Sequence, residues 1–203
     1  MSIVSVSTLK QYLPEIQGSD VDADLTALIS RVESFIARYL GFPLADGNTS
    51  YTLDQSTYTL FVDRPMYTLS FVLQLPIKPL ISITSIHTDV DREYGSTTAI
   101  DLSKTTTDLQ NARVILNDNS TDTFESGFRA NKIVGSFGFS TSNPPHDMVH
   151  AICVFASHLQ RAKNSQGNDS ITQRNSTISL SPRTMPLEVK ELLRGYRNVS
   201  TIF

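Results

Sequence analysis

The stretch that decides the fold is Leu25-Thr26-Ala27-Leu28-Ile29-Ser30-Arg31-Val32-Glu33-Ser34-Phe35-Ile36-Ala37-Arg38-Tyr39-Leu40-Gly41. Its apolar residues Leu25, Leu28, Ile29, Val32, Phe35, Ile36, Tyr39 and Leu40 recur three and four apart, the spacing of one helix face, and Gly41 stops the run. Asp20, Asp22 and Asp24 crowd the first turn, where the positive end of the helix dipole favours them. A second stripe runs through Met148, Val149, Ile152, Phe155, Ala156 and Leu159, and a shorter third through Val189, Leu192, Leu193 and Tyr196. Helices with a single apolar face must bury it on something, and the simplest partner for each is the others.

Between the first two stripes the signal is that of strands. Tyr51 to Val62 and Met66 to Leu75 are rich in β-branched and aromatic residues and read as a pair broken by Arg64-Pro65. Ile81 to His87, Ala99 to Leu102, Ala112 to Leu116 and Asn131 to Phe139 read as further strands, with Asp89 to Ser96 a loop and Asn117 to Asp122 a turn. Gly135 and Gly138 in the last strand suit a bulge or a close backbone approach. At the front, Ser7 or Thr8 is expected to cap a short helix through Leu9, Tyr12 and Leu13. Pro144-Pro145 opens the second main helix, since proline fits a first helical turn, and Pro186 opens the last. Residues 164–183 carry few apolar anchors and read as a mobile linker, or as a segment that orders against a partner.

The expected class is therefore α+β: a small helical bundle from residues 1–43 and 141–203, including a C-terminal helix over 186–197, with an inserted antiparallel β region over 44–140. A chain of 203 residues buries about 70% of the surface its unfolded form exposes and needs no staple. The single Cys153 lies on the second stripe and reads as a small buried hydrophobe rather than a reactive thiol. No run approaches the roughly 18 apolar residues of a membrane span, and the first residues lack a basic region followed by an apolar one. The chain is expected to be made in a reducing cytoplasm, or to sit in a particle assembled there. The Asn-x-Ser/Thr triplets at Asn48, Asn119 and Asn175 then reflect composition.

The net charge of −3 hides an asymmetry: residues 1–60 hold three basic and seven acidic side chains, residues 161–203 seven basic and three acidic. Such a split suits head-to-tail association of copies through Asp20, Asp22, Asp24, Arg161 and Lys163, or a basic tail that reaches an acidic partner; a solvated surface is the plainer account.

Candidate chemistry is thin. His146 and His150 stand four apart as in a zinc hydrolase, but Asp147 replaces the usual Glu and no third ligand is evident, so a capped helix start is the better account. In Asp89-x-Asp91-x-Glu93, Tyr94 stands where a calcium loop needs Gly and Ile100 where it needs Glu. No Gly-x-Ser-x-Gly elbow or phosphate loop occurs. The tail cations lack interleaved aromatics, which argues against sequence-specific nucleic-acid binding while allowing passing contact with phosphates. No catalytic residue, cofactor or metal site is assigned, and the chain reads as an interaction protein rather than an enzyme.

The order of segments resembles the head-tail connector, or head-completion adaptor, proteins of tailed bacteriophages. The resemblance is carried by Leu9-Lys10-Gln11-Tyr12-Leu13, the acidic start Asp20 to Asp24, the helix end Phe35 to Gly41, and Leu75-Pro76-Ile77-Lys78-Pro79 running on to Ile86. It continues through Ala112 to Leu116 and Phe137-Gly138-Phe139 into Pro144-Pro145, and closes with Pro186 to Arg197. The resemblance implies a helical platform with projecting β-hairpins. It implies a ring, commonly twelvefold in relatives, on the portal protein around the double-stranded DNA channel, with a further neck or tail protein docking on it. It also implies a place in the virion, assembled in the bacterial host cytoplasm and touching no membrane. The C-terminal segment is expected to reach into the portal through Pro186, Leu187, Val189, Lys190, Leu192, Leu193, Arg194, Tyr196 and Arg197. The long β middle departs from compact members, and a carbohydrate- or receptor-binding role for it is the alternative.

Overall fold

The computed structural model describes residues 2–163, 170–173, 176–179 and 185–198. In chain order the elements are α1 (Val6–Lys10), α2 (Asp22–Leu40), β1 (Ser56–Arg64), β2 (Val72–Gln74), β3 (Leu80–Thr88), β4 (Thr105–Asp108), β5 (Arg113–Leu116), β6 (Gly127–Phe137), α3 (His146–Lys163), β7 (Ser170–Gln173), β8 (Ser176–Ser179) and α4 (Leu187–Leu193). Two compact units result, one from Met1–Ile36 with Thr141–Arg197, the other from Ala37–Ser140 with Asn198–Phe203. Terminal helices thus flank a central antiparallel β region in a mixed α+β fold.

In the helical unit, α1 is capped by Ser5, whose hydroxyl accepts the Thr8 amide at 3.1 Å, two residues earlier than Ser7 and three earlier than Thr8. The Ser5 hydroxyl touches those of both Ser7 and Thr8, so local chemistry did not choose among them. The Glu33 carboxylate, buried on α2, accepts from Ser2 Oγ at 2.7 Å and from the amides of Ile3 at 2.8 Å and Val4 at 3.1 Å. That clasp holds the buried Ile3 and Val4 on the bundle and satisfies two backbone donors that burial would otherwise strand. Along α2, Leu25, Leu28, Ile29, Val32, Ile36 and Leu40 are buried as the stripe predicts, while Phe35 lies half exposed and meets Phe155 edge-on at 5.5 Å. On α3 the Pro145 carbonyl accepts both the Met148 and Val149 amides at 3.1 Å, and Met148, Ala151, Ile152, Cys153, Phe155 and Ala156 form the buried face.

The β unit holds two three-stranded antiparallel sheets, ordered β1-β6-β3 and β2-β5-β4. β6 is the central strand of the first: Ile133 pairs with Leu60 on one side and Ile86 on the other. A Cβ on Gly135 would lie 2.7 Å from the Ser82 carbonyl oxygen, beside two irregularities in β3, so the glycine permits the close approach. The fully buried Asn131 ties the strand ends together, donating to the Val62 and Glu125 carbonyls at 3.2 and 2.9 Å and accepting from Thr88 Oγ1 at 3.0 Å.

Several strand readings need correction. The segments on either side of Arg64-Pro65 do not pair with each other: β1 pairs with β6, and β2 with β5. Ala99 to Leu102 is not a strand but a single bridge from Ala99 to His87 between two 3-10 turns. Thr105–Asp108 is a strand that its polar Thr-Thr-Thr run concealed, since an edge strand with little burial shows no apolar alternation. Within the stretch read as a linker, β7 and β8 pair antiparallel. Residues 164–169, 174–175 and 180–183 of that stretch lie outside the described residues. No helix among the described residues is long and apolar enough to cross a membrane.

Candidate docking surfaces

The C-terminal segment presents two different faces. Val189 and Leu193, four apart on α4, are fully buried, and Met185 just before the helix is nearly so. Leu187 is 73% exposed, and Lys190, Arg194 and Arg197 also face solvent, with Pro186, Leu192 and Tyr196 between the two extremes. Burial raises the Tyr196 phenol above its ordinary value, helped by the Asp147 charge. The inward pair seats α4 on the bundle against α3, and burying such side chains is worth about 1.5–3 kcal/mol each. A polar line crosses the same place: Tyr12 Oη meets His150 Nδ1 at 2.9 Å, and His150 Nε2 stands 3.6 Å from Glu188. His150, one of the two histidines spaced like zinc ligands, is thus a bridge from α3 to α4 and to the turn after α1. Among the described residues no group of three or more His, Cys, Asp or Glu is placed to hold a metal ion.

The acidic start and the basic end of the chain meet inside the helical unit. Lys10 pairs with Asp22 at 2.5 Å, Lys163 with Asp24 at 3.7 Å, and Arg161 with Glu15 at 2.9 Å. Arg161 also donates to the Tyr12 carbonyl at 2.9 Å, and its bond to Glu15 holds that carboxyl below the usual range. Asp20 lies exposed before α2. Ion pairs this open to water contribute little, so they orient the segments more than they bind them.

In the β unit, the loop from Asp89 to Gly95 has a structural explanation. The Asp89 carboxylate accepts the amides of Asp91, Glu93 and Tyr94 at 2.8, 3.0 and 2.9 Å, and these bonds, the Tyr94 one foremost, hold its pKa below the usual carboxylate value. The Tyr94 ring then lies 5.6 Å from Phe61, with Lys132 Nζ 5.4 Å from Tyr94 and the Arg129 guanidinium 4.0 Å over Phe61. The Lys132 contact and the Phe61 ring pin the Tyr94 loop to the sheet, while Arg129 over Phe61 joins β1 and β6. Cys153 is buried, and desolvation pushes its thiol up to about 11, far from a nucleophile's range.

The feature that strand reading missed is the turn between β1 and β2. Met66, Tyr67, Leu69 and Phe71 are 86%, 81%, 61% and 46% exposed. The signal was present in the sequence: residues 65–77 contain no charged side chain, and Arg64-Pro65 interrupts the preceding strand.

Among the solved structures that this fold matches are components of gene transfer agent (GTA) particles. One comes from the neck of an empty GTA particle computed with C6 symmetry, at a TM-score of 0.56 and 17% identity, covering 97% of this chain and 90% of that one. Another comes from the virion of a native GTA particle, at a TM-score of 0.52 and 13% identity, covering 98% and 95%. Comparison with curated protein sequences gave no match. The family model described as "head completion protein" matches residues 2–199, nearly end to end, and the chain belongs to that family.

Proposed function

We propose that the chain is a structural adaptor of a phage-like neck that docks on a portal protein as a ring, extends the DNA channel and offers a surface to the next neck or tail component. The carrying observation is that the head completion family spans residues 2–199, so the match takes in both units rather than one. The neck structure of like fold was computed with cyclic symmetry, which supports a ring here; twelve copies is the proposed number.

The helical unit is the proposed platform. In α4 the buried Val189 and Leu193 serve as the seat, and Leu187, Lys190, Leu192, Arg194, Tyr196 and Arg197 with Pro186 form the portal-facing side. Asp20, Asp22, Asp24, Arg161 and Lys163 are proposed to steer neighbouring copies together, since rim charges affect encounter more than affinity. Contact with double-stranded DNA in the channel is transient and no membrane is involved.

The test is reconstitution. DNA-filled heads that carry a portal but lack this chain are mixed with the purified protein, and the necks are imaged. A ring of density below the portal, with retention of packaged DNA, is the expected result. Bare portals at saturating protein concentration would refute the docking role.

A further inference from the structure

We infer that the turn between β1 and β2 is an apolar knob that seats on a neighbouring copy of this chain; the inference rests on the ring reading above and names its inter-subunit contact. The turn is braced rather than loose. Arg64 reaches across its base, donating from Nε to the Phe124 carbonyl at 2.7 Å and from Nη1 to the Thr68 carbonyl at 2.8 Å. Thr68 donates from its hydroxyl to the Pro65 carbonyl at 2.7 Å. On the return side, the Phe124 amide bonds the Ser70 carbonyl and the Leu116 amide bonds the Phe71 carbonyl, both at 2.8 Å. With Phe124 fully buried, the base of the knob is anchored in the β unit while its tip is held out to water.

Four large apolar side chains at that tip expose about 500 Å² together, taking 150–250 Å² for a whole aromatic ring. That is near the upper end of what a monomer's surface carries, and well over half of the roughly 800 Å² per partner of a standard interface. A contact of this size is weak between two free molecules and becomes sufficient when copies are already arrayed side by side. It is also the right kind of contact for a closed ring, whose head-to-tail interface needs a projection and a separate receiving surface on one chain. Charge does not supply the affinity instead: Asp22, Asp24, Arg161 and Lys163 already have partners in their own chain. The neutrality of residues 65–77 means that burying the knob strands no charge.

The experiment replaces the 81%-exposed Tyr67 by a photoreactive benzoylphenylalanine in the full chain, assembled into portal-containing particles as their sole source of this protein. Irradiation should yield covalent dimers and higher ladders of this chain, with the joined peptide identified by mass spectrometry. Crosslinks only to the portal, to another neck protein or to lipid would overturn the inference, as would no crosslink in fully occupied necks. Those results leave the docking role standing, whereas absence of the chain from the particles would remove both. A second variant, Met66→Ser with Leu69→Ser, should melt as the unaltered protein does and form complete rings at least about 10-fold less well; unchanged ring occupancy would also overturn it.

Discussion

Leu193 and Leu187 lie on one short helix and should fail in opposite ways when truncated to alanine. Leu193 is fully buried, so Leu193→Ala removes its packed methyl groups and leaves a cavity, a loss of about 2–5 kcal/mol. In a protein of this size that is a fall in melting temperature of roughly 4–20 °C if the bundle unfolds as one. The alternative is local release of α4, whose seven residues are too few to stay helical without the seat. The ionic contacts cannot compensate: His150 to Glu188 at 3.6 Å and Arg194 to Glu191 at 3.9 Å are both open to solvent, worth about 1 kcal/mol or less each. Leu187 is 73% exposed, and Leu187→Ala should change stability by no more than about 0.5 kcal/mol. If its face meets the portal, the same truncation costs at least about 1.4 kcal/mol of binding, a tenfold weaker dissociation constant. Differential scanning calorimetry and amide exchange over residues 187–196 report the first quantity, and titration onto portal-bearing heads reports the second. A Leu193→Ala protein with unchanged melting and exchange would refute the seat; a Leu187→Ala protein that docks normally would refute the outer face.

Two further expectations concern the β unit. Gly138 has φ of +113°, and a Cβ there would stand 2.6 Å from the Asp54 carbonyl oxygen, whereas Gly47, at φ of +77°, has nothing within 4 Å. Gly138→Ala should therefore cost clearly more than the roughly 1–2 kcal/mol of backbone strain expected for Gly47→Ala, and equal denaturant midpoints for the two would contradict the close packing. The Asp89 carboxyl sits below its ordinary value of 3.8 because backbone amides bond its charged form. Its contribution to holding the 89–95 loop is complete above that ordinary value and is lost as the pH falls through the lowered one. The amide resonances of Asp91, Glu93 and Tyr94 should shift together in acid below about pH 4, and titration of these amides nearer neutrality would show that Asp89 is not their anchor.

What the sequence made legible was whatever local physics decides. Period-three-four spacing placed α2 and α3, and it also marked Leu25, Ile29, Val32 and Ile36 as core, because a one-faced helix has only one way to bury that face. Gly135 and Gly138 were readable because a missing Cβ is a local property with a steric consequence. Strand partners were not. Nothing near Arg64 says that Leu60 will pair with Ile133 rather than with a residue just beyond Pro65, since register is settled by which distant apolar face completes the core. The exposed tip of Met66, Tyr67, Leu69 and Phe71 was misread for the same reason: apolar residues count as strand signal when the alternative, deliberate exposure, leaves no periodic trace.

The charge asymmetry shows how topology changes the meaning of a sequence pattern. Opposite charge at the two ends of a chain can draw separate copies together, but only if the ends lie on different surfaces. Here residues 1–36 and 141–197 belong to the same helical unit, and Glu15, Asp22 and Asp24 each find a cation nearby: Arg161 and Lys163 come from late in the sequence, and Lys10 from α1. Such exposed pairs are held loosely enough to exchange partners, so in the proposed ring they would guide neighbours into register without binding them firmly. In the proposed ring firm contact would then come from burying apolar surface, and the braced, uncharged knob beyond Arg64 holds four large apolar side chains in the open. A ring built as proposed would stay dissolved as monomers and close when a portal sets the copies side by side, because each contact is too small to form alone and many formed together are not.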